Sequence, residues 1–98
     1  MTRRAVEVTV RGMVQGVGFR WFVSREANRL GLSGWVANQA DGSVSLVAEG
    51  DSASVEALLE RLHEGPPGSY VSSVAVMDAL PRGAGGRFEI RSGAHRGD

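Results

Sequence analysis

Apolar Val6, Val8 and Val10 alternate with Glu7, Thr9 and Arg11, and this period of two predicts a strand over residues 5–11, β1, with one face buried. The pattern then breaks. Gly12, Gly16 and Gly18 fall within seven residues, so residues 12–20 form a loop shaped by backbone geometries that other residues resist. From about Arg20 to Leu30, Phe19, Val23, Ala27 and Leu30 recur at helical spacing, and Gly31 follows where helices commonly stop, which predicts α1. Trp35-Val36 favours a short strand over residues 34–39, β2, and Asp41-Gly42 joins it as a hairpin to β3, where Val44, Leu46 and Ala48 alternate with Ser43, Ser45 and Val47. Val55, Leu58, Leu59 and Leu62 then mark α2, with Asp51 or Ser52 available to cap it and Glu56, Glu60, Arg61 and Glu64 on the opposite face. Gly65-Pro66-Pro67-Gly68 ends that helix. Residues 71–77 read as β4, and residues 87–90 as a short β5.

The order βαββαβ plus a short fifth strand is that of an α+β, ferredoxin-like split βαβ sandwich, in which two helices cover one face of an antiparallel sheet. A right-handed crossover makes β1 and β2 parallel, and β3 fits between them. The C-terminal ends of β1 and β2 therefore share one sheet edge. That edge carries the glycine loop, the start of α1 and Asn38, so topology alone brings Arg20 and Asn38 together.

With 98 residues, 42% of them apolar, the chain is sized for one domain, expected over residues 1–91 with a disordered tail at 92–98. Cysteine is absent, which excludes disulfides, thiolate nucleophiles and thiolate zinc sites. The eleven basic residues are all arginine, which excludes Schiff-base chemistry and a Walker-type lysine. Eleven acidic residues balance them, against the broad positive field that nucleic-acid binding needs. No apolar run suits a signal peptide or a membrane span. The expectation is a cytoplasmic monomer with no nucleic-acid or membrane partner.

A glycine loop ending at a helix start presents unpaired N–H groups and the positive end of the helix dipole, which together make an anion site. Arg20 is anomalous there. A cation in the first turn is disfavoured by ~0.3–1 kcal/mol, a conflict that a bound phosphate removes and an exposed arginine at a frayed helix start leaves standing. Its fork can hold two phosphate oxygens at once. Asn38 is out of place in a strand; it either serves the Asp41-Gly42 turn or holds a water in line with a phosphorus atom. Neither residue is a general base at neutral pH, so any hydrolysis here must rest on positioning and charge stabilisation. His63 and His95 have no metal or triad spacing and read as solvated. Trp21, Phe22 and Trp35 read as core or rim packing.

These residues resemble the acylphosphatase family. The stretch Gly12-Met13-Val14-Gln15-Gly16-Val17-Gly18-Phe19-Arg20 is similar to one family signature. Gly34-Trp35-Val36-Ala37-Asn38, with Asp41-Gly42-Ser43-Val44 and Glu49-Gly50, is similar to the other. The resemblance implies a metal-independent, cofactor-free hydrolase that cleaves small acyl phosphates, such as acetyl or carbamoyl phosphate, to carboxylate and inorganic phosphate. By this resemblance Arg20 binds the phosphate, Asn38 orients the water, and the backbone of Gln15, Gly16, Val17, Gly18 and Phe19 forms the cradle. Ala37 departs from a position often basic in the family, and the chain runs past the family's usual end. The competing reading is a non-catalytic ferredoxin-like module that binds an anion or small ligand. An RNA-binding version is opposed by the lack of aromatics on β3 and by the zero net charge.

Overall fold

The computed structural model describes residues 2–83 and 86–92. Its elements are β1 (Arg3–Met13), α1 (Phe19–Arg29), β2 (Ser33–Asn38), β3 (Val44–Asp51), α2 (Ser52–Glu64), β4 (Tyr70–Ala79) and β5 (Phe88–Arg91). They form one sheet of order β4-β1-β3-β2-β5 with both helices packed on it. The α+β, ferredoxin-like expectation is met with one correction. The first four strands pair antiparallel, but β5 lies parallel to β2, so the sheet is mixed. The chain reverses after β4 and so runs in the direction of β1 and β2. By crossing to the far edge instead of folding back on β4, it makes a parallel pair.

The predicted alternation places Val6, Val8 and Val10 beside Leu46 and Val44 on the face that meets Phe19, Val23 and Ala27 of α1 and Val55, Leu58 and Leu62 of α2. All of these are buried, each contributing roughly 1.5–3 kcal/mol for a fully buried Val, Leu or Phe. A one-residue slip of β1 would turn Glu7 and Thr9 onto the helices instead, and this penalty fixes the register.

β1 is longer than its alternation suggests. It continues through Gly12 and Met13, with a register shift against β4 between Arg11 and Gly12. Gly12 has φ 132°, and a Cβ there would lie 2.1 Å from the Tyr70 carbonyl oxygen, so only glycine permits the close approach. The loop is thereby shortened to residues 14–18. α1 ends in a Schellman motif, with Gly31 N–H donating to Asn28 and Leu32 N–H to Ala27. Asp51 does precede α2 as its N-cap, yet its side chain makes no capping bond.

Two buried carboxylates hold the elements together. Glu26 of α1 accepts from Arg29 at 2.9 Å and lies 3.5 Å from Arg61 of α2; the Arg29 bond, with Arg61 behind it, holds its carboxyl below the usual range against the opposing effect of burial. Glu49 of β3 accepts from the N–H groups of Arg82 and Gly83 at 2.9 and 2.6 Å and from the Arg3 guanidinium at 2.9 Å. These bonds, the Arg82 N–H foremost, lower its pKa and fasten the connection that carries the chain from β4 towards β5.

Candidate active site

α1 begins at Gly18, whose backbone is left-handed at φ 78°, ψ 21°. Gly16 is also left-handed at φ 76°, and a Cβ at either position would meet nothing within 4 Å, so glycine is needed here for its backbone and not for clearance. The first helical bond runs from Phe22 N–H to the Gly18 carbonyl at 3.0 Å. The N–H groups of Phe19, Arg20 and Trp21 therefore have no partner within the helix. No side chain caps this end, and no acidic residue lies in the first turn. Among the described residues, no backbone carbonyl accepts from residues 15–18 either. A run of open donors faces this end of the molecule.

A cleft of about 200 Å³ opens there, bordered by Gly16, Gly18, Arg20 and Asn38 and rimmed by apolar Val14, Trp21 and Ile90. Arg20 and Asn38, placed together by topology, thus line one cavity. Its size suits a ligand smaller than the drug-like molecules that fill pockets of ~300–1,000 Å³.

The five cradle residues contribute unequally. Gly16, Gly18 and Phe19 line the cleft, whereas Gln15 and Val17 do not; Phe19 buries its ring in the core, 5.9 Å from that of Phe22, and Val17 packs partly against the core. Gln15 uses its side chain elsewhere. Its Nε2 donates to the carbonyls of Gln39 at 2.8 Å and Ser43 at 2.9 Å, lashing the loop to the β2–β3 hairpin that carries Asn38.

That lashing bears on the two readings of Asn38. The hairpin is closed by Gln39 N–H to Ser43 at 2.8 Å, Gly42 N–H to Gln39 at 3.1 Å, and Asp41, which accepts from the Ser43 N–H at 3.0 Å and the Ser43 hydroxyl at 2.6 Å. The turn's bonds are supplied by other groups. Asp41 is held at a pKa of about 2, first by the Ser43 hydroxyl, then by its N–H and by Arg11 at 3.1 Å.

Arg20 donates from Nη1 to the carbonyl of Arg91 at 2.7 Å. This bond puts partial negative charge beside a cation that the helix dipole opposes, and it leaves four N–H donors of the guanidinium uncommitted. Arg91 in turn stacks its own guanidinium over Trp35, 4.8 Å from the ring centroid. β5 runs one residue past the predicted Ile90, and no local signal in the sequence announces this contact. Ala37 is buried and pairs with Arg91, so a basic side chain stands on the next strand where Ala37 supplies none.

Trp21 is exposed at the cleft rim with Arg25 stacked at 5.3 Å, Trp35 is half-buried, and Phe22 belongs to the core, as rim and core packing require. His63 is exposed, and its Nδ1 lies 3.3 Å from the Leu59 carbonyl. His95 lies outside the described residues, as does the tail from residue 93. Among the described residues, no group of three or more His, Cys, Asp or Glu is placed to hold a metal, and no helix is long and apolar enough to cross a membrane.

The family model for acylphosphatase matches residues 6–90. The chain belongs to the acylphosphatase family. It is 49% identical to an acylphosphatase of Thermococcus kodakarensis over 88% of this chain and 94% of that one. An acylphosphatase of Nocardioides is 48% identical over 83% of this chain and 82% of that one. Among solved structures, an acylphosphatase from Coxiella burnetii superposes with a TM-score of 0.86 at 42% identity, covering 91% of this chain and 93% of the other. The protein is accordingly an enzyme of acylphosphatase activity, hydrolysing acyl phosphates to carboxylate and phosphate, and the binding-module reading is set aside.

Proposed function

We propose that catalysis is carried by Arg20, Asn38 and the backbone of residues 15–19. The observation behind this assignment is that open N–H donors, an arginine without a carboxylate partner among the described residues and an amide the hairpin does not use border one small cleft. The loop N–H groups and the Arg20 fork take the phosphoryl oxygens and neutralise the charge that repels an incoming water. Asn38 holds that water in line with phosphorus. The water oxygen bonds to phosphorus as the bond to the acyl oxygen breaks. The carboxylate leaves as an anion, and a phosphoryl oxygen of the substrate takes the proton, since neither Arg20 nor Asn38 is a base at neutral pH. Beyond this chain the chemistry calls only on the water and on the substrate's own phosphoryl oxygen.

The same proposal treats the protein as a cytoplasmic monomer without nucleic-acid partners, the last supported by its balanced charge. Its test is loss of acetyl or benzoyl phosphate, followed with purified protein in EDTA. Turnover unchanged by chelation is expected; turnover abolished by EDTA and restored by Mg²⁺ or Zn²⁺ would overturn the mechanism.

A further inference from the structure

Arg20 is held by a carbonyl of β5, an edge strand, so the position of the guanidinium depends on how β5 is seated. Part of the seating is apolar: Phe88 is buried in the core. Burial is non-directional, and the parallel ladder to β2, with Phe88 against Gly34 and Arg91 against Ala37, sets β5 against the sheet and not against α1.

Directional contact with the helix comes from Asn28, near the other end of α1. The Phe88 N–H donates to Asn28 Oδ1 at 3.1 Å, and Asn28 Nδ2 donates back to the Phe88 carbonyl at 3.4 Å. Nδ2 also lies 3.4 Å from the Ser24 hydroxyl one turn earlier, which ties the amide to its own helix. Only one orientation of the amide satisfies both groups of Phe88, so Asn28 acts as one more rung of a sheet ladder.

α1 and β5 are thus joined at both ends. From Asn28 to Arg20 the helix spans eight residues, roughly 12 Å at its rise per residue. From Phe88 to Arg91 the strand spans three, roughly 10 Å. The spans match to within the reach of an arginine side chain. We infer that Asn28 is a positioning residue for Arg20: by fixing the height of β5 at Phe88 it sets the Arg91 carbonyl under the guanidinium. A slip of one residue would move that carbonyl by roughly 3.3 Å and turn Arg91 away from Trp35. Asn28 itself touches no substrate.

This inference rests on Arg20 being the phosphate ligand, and its test separates the two. Inorganic phosphate is titrated into the protein while the amide signals of Gly16 and Gly18 are followed by NMR, with a urea midpoint for every variant. Asn28→Ala is expected to weaken phosphate binding roughly ten- to a hundredfold per folded molecule, the scale set by misplacing a binding group by about 1 Å. Asn28→Asp, which keeps the acceptor for Phe88 N–H, should recover part of that loss; it carries the test alone if the alanine variant does not fold. In an Arg20→Lys background, Asn28→Ala should weaken binding no further, because its effect runs through the guanidinium; a merely structural role predicts equal losses in both backgrounds. Equal losses, or wild-type affinity in Asn28→Ala, overturn the inference alone. Gly16 and Gly18 signals that ignore phosphate in the wild-type protein overturn the assignment of Arg20 as well.

Discussion

The two helices start at opposite ends of the sheet, and each start lies beside a cleft lined by arginine, Arg20 at α1 and Arg3 and Arg4 at α2. The cleft at α2 is the larger, about 260 Å³ against about 200 Å³ at α1. Yet its arginines are matched. Arg3 meets Glu49 at 2.9 Å, and Arg4 meets Glu56 at 2.9 Å and Asp78 at 3.2 Å, the Glu56 bond foremost in raising the Arg4 pKa further above its ordinary value. The first N–H of α2, on Ser52, is taken by the Thr2 carbonyl at 2.8 Å. At α1 the loop donors are open, and Arg20 has a carbonyl as its partner where Arg3 and Arg4 have carboxylates. Volume is therefore not what sets the α1 cleft apart. Positive charge and donors left uncompensated by the chain do so, because an anion gains most where nothing has already been neutralised.

The largest effect is expected from reducing the fork at the α1 end. Arg20→Lys should lower turnover of benzoyl phosphate roughly 10²–10³-fold, the scale for losing one preorganised donor to developing charge, and should weaken phosphate binding with the fold intact. Arg4→Lys at the matched end should leave both unchanged. Equal losses in the two variants would erase the contrast between the clefts.

Asn38→Ala comes next and sharpens the comparison within the site. Here kcat should fall while inorganic phosphate binds with near-native affinity, the pattern of an interaction made mainly in the transition state. A variant with a lower urea midpoint and full activity would return Asn38 to the hairpin.

Glu49→Gln should do the opposite of Arg20→Lys: a lower urea midpoint, since the N–H groups of Arg82 and Gly83 and the Arg3 guanidinium lose their shared acceptor charge, with kcat per folded molecule preserved. Lost turnover with unchanged stability would place function at the wrong end.

The smallest effect is a pH dependence near the site. Asp41 is depressed to about 2 from an ordinary 3.8, so its contribution to stability is fully present above 3.8 and is lost as the pH falls towards 2. Glu26 and Glu49, also lowered, add to stability with the same sign, theirs beginning to fade below 4.5. Urea midpoints of the wild type should drop through that window, and those of Ser43→Ala should drop less, because the main cause of the Asp41 shift is gone.

Much of this was legible without coordinates. The valine alternation of β1, the leucine spacing of α2 and the Asp41-Gly42 turn are local patterns, and each produced the element it predicts. Arg20 stood out because a cation at an uncapped helix start conflicts with the dipole, and crossover handedness sent Asn38 to the same edge. The limits of the elements were less legible. β1 runs on through Gly12 with a register shift against β4, where its partners are Ser73 and Val71, far along the chain.

The sequence by itself therefore determined the order of the elements, the face each buries and the sheet edge that Arg20 and Asn38 share, since periodicity and handedness act within a few turns of chain. Only the tertiary structure decided what holds that edge in place. Gln15 lashes the loop to a hairpin 24 and 28 residues on, Glu49 closes a connection 33 and 34 residues away, and Arg20 rests on a carbonyl 71 residues away. Gln15 and Glu49 each donate to or accept from backbone, and Arg20 rests on backbone as well. Backbone groups are the same at every residue, so no side-chain pattern announces which carbonyl or N–H the fold will bring within reach.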